Sequence, residues 1–175
     1  MRWWLSPLIL LAAALPAVAA GGDMRMRPWP FDRLSEAAPE FRLDDRRTLT
    51  DLRGRWVVLH FWATWCKPCA TELPAFEALH RRWRGRGVEF LAISIDDQAG
   101  AEAISRFAAD RGVTMPVLIG RDLEVTDRYW GWGVPVTYFV DPQGRLAGRA
   151  LGIRDWGRAD PVLEALTTMT VPAPP

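Results

Sequence analysis

Cys66 and Cys69 are the only two cysteines of the chain, and they stand three residues apart in Trp65-Cys66-Lys67-Pro68-Cys69. Two thiols at that spacing can close into one disulfide and open again. Their setting points to that chemistry, because an apolar, β-branched run, Val57 to Trp62, precedes them and a helix-like pattern follows. A helix start beside a strand supplies unpaired backbone amides and the positive end of the helix dipole, both of which favour a thiolate. Thiol–disulfide exchange follows from this arrangement, with Cys66 at the helix start as nucleophile and Cys69, one turn further in, as resolving thiol. Lys67 adds a positive charge nearby, and Pro68 fits the first helical turn, where its missing N–H costs nothing.

The elements that must hold this dithiol can be read from periodicity. Val57 to Trp62 lacks polar alternation except at His60, as expected of a strand covered on both faces. Apolar residues at Leu73, Phe76, Leu79 and Trp83 recur at spacings of three and four, which predicts a helix through Glu72 to Trp83. Val88 to Ile95 is a second apolar strand, Ala99 to Arg111 a second helix closed by Gly112, and Val117 to Ile119 a short strand. Asp122 to Trp130 reads as a short helix. Val136 to Val140 is a further strand, turned by Asp141-Pro142-Gln143-Gly144 into Arg145 to Leu151, and Trp156 to Met169 is a last helix. Before all of these, Phe41 to Leu43 and Thr48 to Thr50 alternate around Asp44-Asp45, which predicts an N-terminal β-hairpin. The expected class is α/β, a central mixed sheet flanked by helices.

The bulk properties bound the rest. The 175 residues are 49% hydrophobic and 25% charged, which suits one globular domain. The net charge is +1, and it falls to zero once residues 1–19, whose only charge is Arg2, are removed. Nothing in that balance attracts nucleic acid. Arg2, the apolar run Trp3 to Ala14, Pro16 and the triplet Ala17-Val18-Ala19 have the layout of a secretory signal (1–19) cleaved before Ala20. The rival is an uncleaved membrane anchor, although Ser6, Pro7 and Pro16 interrupt the run. The mature protein is therefore expected outside the inner membrane, in the periplasm. Residues 20–39, with Pro28-Trp29-Pro30, read as a linker and lead-in with little order before about Glu40, residues 40–169 as the domain, and 170–175 as a frayed tail. An exported chain with two cysteines this close has no long-range disulfide staple, so their role is reactive.

A zinc site is excluded by geometry. His60 and His80 are the only histidines, but Cys69 and His80 on one helix lie about 16 Å apart, too far to share an ion bound at about 2 Å.

Phe61-Trp62-Ala63-Thr64-Trp65-Cys66, Cys69, Glu72-Leu73-Pro74 and Gly133-Val134-Pro135-Val136-Thr137-Tyr138-Phe139 together resemble the thioredoxin-fold family, and within it the exported TlpA/ResA-like thiol–disulfide oxidoreductases. The resemblance spans Phe41 to Met169. It implies a thioredoxin-like fold, with Pro74 kinking the helix after the motif and Pro135 as the cis-proline that offers the backbone of Val134 to an extended substrate segment. At the matching glutamate, Glu72 exchanges a proton with Cys69, three residues away on the same helix face. The alternative is an exposed first-turn acid that complements the helix dipole. His60 departs from the family, many members of which carry a buried aspartate there. It is either a proton acceptor for Cys69 or a core histidine satisfied by a backbone carbonyl. Trp65, Trp130 and Trp132 are candidates to rim the groove, with Trp65 the one expected to be exposed.

The resemblance implies a disulfide-bearing protein substrate, such as apocytochrome c or the thiols of a copper site, and a membrane thiol–disulfide carrier as electron donor. No organic cofactor and no metal are needed. Dedicated cytochrome-maturation relatives often carry an acid just after the cis-proline, where this chain has Val136. Two other uses of the dithiol stay open: an oxidase that donates its disulfide to folding proteins, and a Cu(I)-binding module without turnover.

Overall fold

The computed structural model describes residues 27–28, 36–43, 46–120, 125–129 and 133–168. The expected signal sequence and tail lie outside them.

Strand β2 (Trp56–Trp62) is the centre of the sheet, and every residue in it is buried. Period-two alternation divides it between two cores. Trp56, Val58 and Trp62 pack with the motif helix, while Val57, Leu59 and Phe61 pack on the opposite face with Phe41, Leu49, Leu52, Val125 and Tyr129. This two-sided burial is why the strand reads as a continuous apolar run.

Helix α1 (Lys67–Trp83) leaves the end of β2 after a tight turn, and the chain returns through β3 (Val88–Ser94), parallel to β2. Helix α2 (Ala101–Ala109) then leads to β4 (Val117–Ile119), parallel to β3. Strand β5 (Val136–Val140) pairs antiparallel with the other edge of β2 and places Thr137 opposite His60. Strand β6 (Leu146–Leu151) pairs antiparallel with β5, and helix α3 (Asp160–Thr168) ends the described chain. With β1 (Arg27–Pro28), the sheet order is β1-β6-β5-β2-β3-β4, a mixed sheet.

Three local differences from the sequence expectation have physical causes. The N-terminal hairpin is reduced to one antiparallel bridge, Arg42 to Thr48, because Leu49–Leu52 winds into a 3-10 turn that buries Leu49 and Leu52. Asp51 accepts a bond from the Thr48 amide at 2.7 Å and closes that turn. The lead-in expected to lack order pairs Arg27–Pro28 with β6, and Ala37 bridges to Arg145. Proline is tolerated there because β1 is an edge strand.

The last helix is split into a 3-10 turn, Trp156–Arg158, and α3. Pro161 lacks the N–H that an unbroken helix from Trp156 would need, and Asp155 caps the turn by accepting from the Gly157 amide at 3.2 Å. The helix expected over Asp122 to Trp130 lies partly outside the described residues. Within them, the Tyr129 amide bonds the Val125 carbonyl at 3.0 Å, one helical turn.

Candidate active site

Cys66 is the N-cap of α1, with extended backbone, and its Sγ accepts the Cys69 amide at 3.2 Å. An N-cap acceptor satisfies one of the helix's unpaired donors, and here that acceptor is the sulfur itself. Cys66 and Cys69 form a disulfide. Of the pair only Cys66 keeps any exposed surface, 5% against 0% for Cys69. Both belong to the core packed on α1, with Cys66 the less completely buried of the two.

Around Cys66 the surface is built from three loops. Trp65 is 63% exposed beside it, and Lys67 and Pro68 are exposed in the first turn of α1. The Val134–Pro135 peptide bond is cis. Val134 places its carbonyl oxygen 3.8 Å from the Cys66 Sγ, and Pro135 is buried behind it. The segment after β6 closes this side, where the Gly152 amide bonds the Pro135 carbonyl at 2.8 Å. Gly152 takes φ +72°, which a side chain would strain. Leu151 and Ile153, each 51% exposed, flank it. Trp130 and Trp132 lie outside the described residues.

Glu72 is buried, so it is not an exposed first-turn acid. Its Oε2 accepts the Arg154 amide at 2.8 Å and the Trp156 indole N–H at 3.1 Å, while Oε1 has no hydrogen-bond partner among the described residues. Burial pushes its carboxyl up to about 7, against the lowering effect of those two donors and the Arg154 charge. Cys69 lies one helical turn before it on the same buried side of α1.

His60 is fully buried in β2, stacked on Phe76 at 4.3 Å between ring centroids. Its partner is a side chain and not a backbone carbonyl: Nδ1 lies 2.9 Å from the Thr137 hydroxyl. The other nitrogen, Nε2, faces Glu72 Oε1 at 3.5 Å. Desolvation holds the imidazole down at about 3, in its neutral form. His60 and Glu72, twelve residues apart in sequence, thus share one buried site.

The spacing of residues gave no sign of Asp96, which sits buried just past β3. Its carboxylate accepts the Thr64 amide at 3.0 Å, the Thr64 hydroxyl at 2.5 Å and the Ser94 hydroxyl at 2.6 Å. It anchors the loop that carries Trp65 and Cys66. The available signal was a serine that ends an apolar strand with an aspartate two residues on. Arg154 and Trp156 carried no signal either, because their contact with Glu72 exists only once β6 is paired.

The comparisons agree with this geometry. The AhpC/TSA family matches residues 34–149. A thiol–disulfide oxidoreductase ResA from Oceanobacillus iheyensis is 36% identical over 148 residues, which are 79% of this chain and 74% of that protein. ResA from Bacillus subtilis is 34% identical over 113 residues, 62% of each chain. Among solved structures, a putative thiol:disulfide interchange protein DsbE from Chlorobium tepidum superposes with a TM-score of 0.62 at 26% identity, covering 75% of this chain and 93% of its own. A chain whose two cysteines close at the start of the helix after the central strand, and which matches these proteins along most of its length, belongs to the AhpC/TSA family and, within it, to the thioredoxin-fold ResA-like thiol–disulfide oxidoreductases.

Proposed function

We propose that the protein works outside the cytoplasmic membrane as a reductant of protein disulfides, in cytochrome c maturation or in the assembly of a metalloprotein with thiol ligands. The reading rests chiefly on Cys66 at the N-cap of α1, where its sulfur accepts a backbone amide and its residue is the less completely buried of the pair. In the reduced state the same amide and the helix dipole favour the Cys66 thiolate.

That thiolate attacks one sulfur of the substrate disulfide and forms a mixed disulfide, while the second substrate sulfur leaves as a thiol after gaining a proton from water. Cys69 then loses its proton to the Glu72 carboxylate and attacks the Cys66 sulfur. The Cys66–Cys69 bond forms, the first substrate sulfur departs, and two electrons have passed to the substrate. No organic cofactor takes part. Backbone pairing of an extended substrate segment with Val134, beside Pro135, brings the substrate sulfur to Cys66, with Trp65, Lys67 and Pro68 on the rim. A membrane thiol–disulfide carrier restores the dithiol. The location rests on the signal-like residues 1–19, and an uncleaved signal would leave the same domain tethered on the same side.

The test combines the Cys66/Cys69 reduction potential with insulin-disulfide reduction by the wild type and by Cys66→Ala and Cys69→Ala. Thioredoxin-fold dithiols span about −270 to about −120 mV, and a value near the reducing end with no turnover by Cys66→Ala is expected. Cys69→Ala should accumulate the mixed disulfide. A value near the oxidising end assigns the protein to disulfide donation, and full activity of Cys66→Ala removes Cys66 as nucleophile.

A further inference from the structure

Two buried polar atoms lack a hydrogen-bond partner among the described residues and face each other: His60 Nε2 and Glu72 Oε1, 3.5 Å apart. Buried polar atoms are rarely left unpaired, and a facing pair of them is explained by one proton between them. The Thr137 hydroxyl can accept from Nδ1 as well as donate to it, and the tautomer that also pairs Nε2 with an acid on Glu72 Oε1 is the one with Nδ1 protonated and Nε2 an acceptor. Glu72 Oε2 is occupied by two donors, Arg154 N–H and Trp156 indole N–H, as suits a carbonyl-like oxygen, so the acidic hydrogen belongs on Oε1.

We propose that His60 is a positioning residue for the exchange reaction: its Nε2 accepts the hydrogen of protonated Glu72 and so stabilises the proton that Glu72 takes from Cys69 during resolution of the mixed disulfide. This rests on the reductase reading above and assigns its buried histidine a part. In the resolving step, the Cys69 S–H bond breaks and a Glu72 O–H bond forms at the carboxylate. The Cys69 electron pair makes the S–S bond to Cys66, and the Cys66–substrate bond breaks with its pair on the substrate sulfur. The disulfide state is the one in which Glu72 carries the proton, and it is the state seen here. When the dithiol is regenerated, the proton returns to Cys69. The stored proton never has to cross to water, since both members of the pair are buried.

The groups facing this pair are few. Helix α1 contributes the Phe76 ring, β5 contributes Thr137, and the segment after β6 contributes Trp156 and Arg154, with Cys69 one turn before Glu72 on α1. Arg154 is the one formal charge among them, and its guanidinium bonds the Leu151 carbonyl, not the pair. A neutral imidazole beside a neutral acid costs less in such surroundings than two buried ions.

The first test is nitrogen-15 NMR of the imidazoles in the oxidised wild type between pH 5 and 7. The chain has two histidines, and His80→Gln assigns the signals. His60 is expected to keep a protonated Nδ1 and an unprotonated, hydrogen-bonded Nε2 throughout. A His60 protonated on both nitrogens, or on Nε2 alone, overturns the proposal. The second test is single-turnover resolution of a preformed Cys66 mixed disulfide. His60→Leu should slow resolution about tenfold or more, a fraction of the range for general acid–base catalysis. His60→Gln, whose amide oxygen can still accept from Glu72, should recover part of it, and alkylation of Cys66 should be unchanged in both. Equal resolution rates in wild type and His60→Leu overturn the proposal, as do equal losses in the two variants. If His60→Leu does not fold, the wild-type spectrum still decides. Failure of the dithiol reading is distinguishable, because the wild type itself would then not reduce insulin.

Discussion

Asp96 holds Thr64: one carboxylate, buried at the end of β3, receives both the amide and the hydroxyl of the residue two positions ahead of Cys66. The loop between β2 and α1 is thereby fixed to the neighbouring strand, independently of the disulfide. The loop that carries Cys66 is thus held by contacts that involve neither sulfur.

Replacing Asp96 by Ala leaves the Thr64 amide and the Ser94 hydroxyl without their acceptor. The cost should be about 1–3 kcal/mol for each buried group left unsatisfied. Urea denaturation of the oxidised protein measures it, and a loss below about 0.5 kcal/mol would show that the loop is held by other contacts.

His60 and Glu72 give stability an unusual pH dependence. Glu72 is raised from 4.5 to about 7 on folding, so its contribution is present below 4.5 and lost as pH rises through about 7. His60 is lowered from 6.5 to about 3, so its contribution is present above 6.5 and lost as pH falls through about 3. Between about 4.5 and 6.5 the folded and unfolded pairs each carry one proton, and their effects cancel. In Glu72→Gln only the histidine remains. Its stability relative to wild type should therefore climb with pH across that window, by up to about 1.4 kcal/mol per pH unit. A constant difference between the two proteins over this range would show that Glu72 is ionised when folded.

Glu77 makes the opposite contribution. Burial pushes its carboxyl up, but the Thr114 hydroxyl, the Thr114 and Met115 amides and Arg81 more than offset this and hold it at about 2. The Thr114 and Met115 contacts tie α1 to the loop before β4. Its contribution is present above 4.5 and lost as pH falls through about 2. Glu77→Gln should cost up to about 3 kcal/mol at pH 6 and little near pH 2. Thermal or urea unfolding of both proteins at the two pH values checks the sign.

Trp65 is large, apolar and 63% exposed next to Cys66. Such a residue gives a protein substrate an anchor that a small disulfide cannot use. Trp65→Ala should lower kcat/KM for insulin about tenfold, equivalent to about 1.4 kcal/mol, with little change toward a small aliphatic disulfide. Equal losses on both substrates would place Trp65 in the chemistry of Cys66 and not in recognition.

What local pattern can encode, the chain by itself determined. The β-branched run of Val57 to Trp62 and the three-and-four spacing of Leu73, Phe76, Leu79 and Trp83 each express one element's own geometry, so strand and helix were legible, as was the dithiol between them. The apolar periodicity of the last helix continues across Pro161 and so predicts one piece, although the missing N–H breaks it into a 3-10 turn and α3. Tertiary structure decided the environment of the dithiol. His60 meets Glu72 because β2 lies beneath α1, Thr137 meets His60 because β5 pairs with β2 in that register, and Arg154 and Trp156 reach Glu72 from more than eighty residues away. A sequence states which groups can hold a proton. Where each one loses water and which partner it then faces depend on contacts between elements distant in the chain, and those exist only after the sheet has formed.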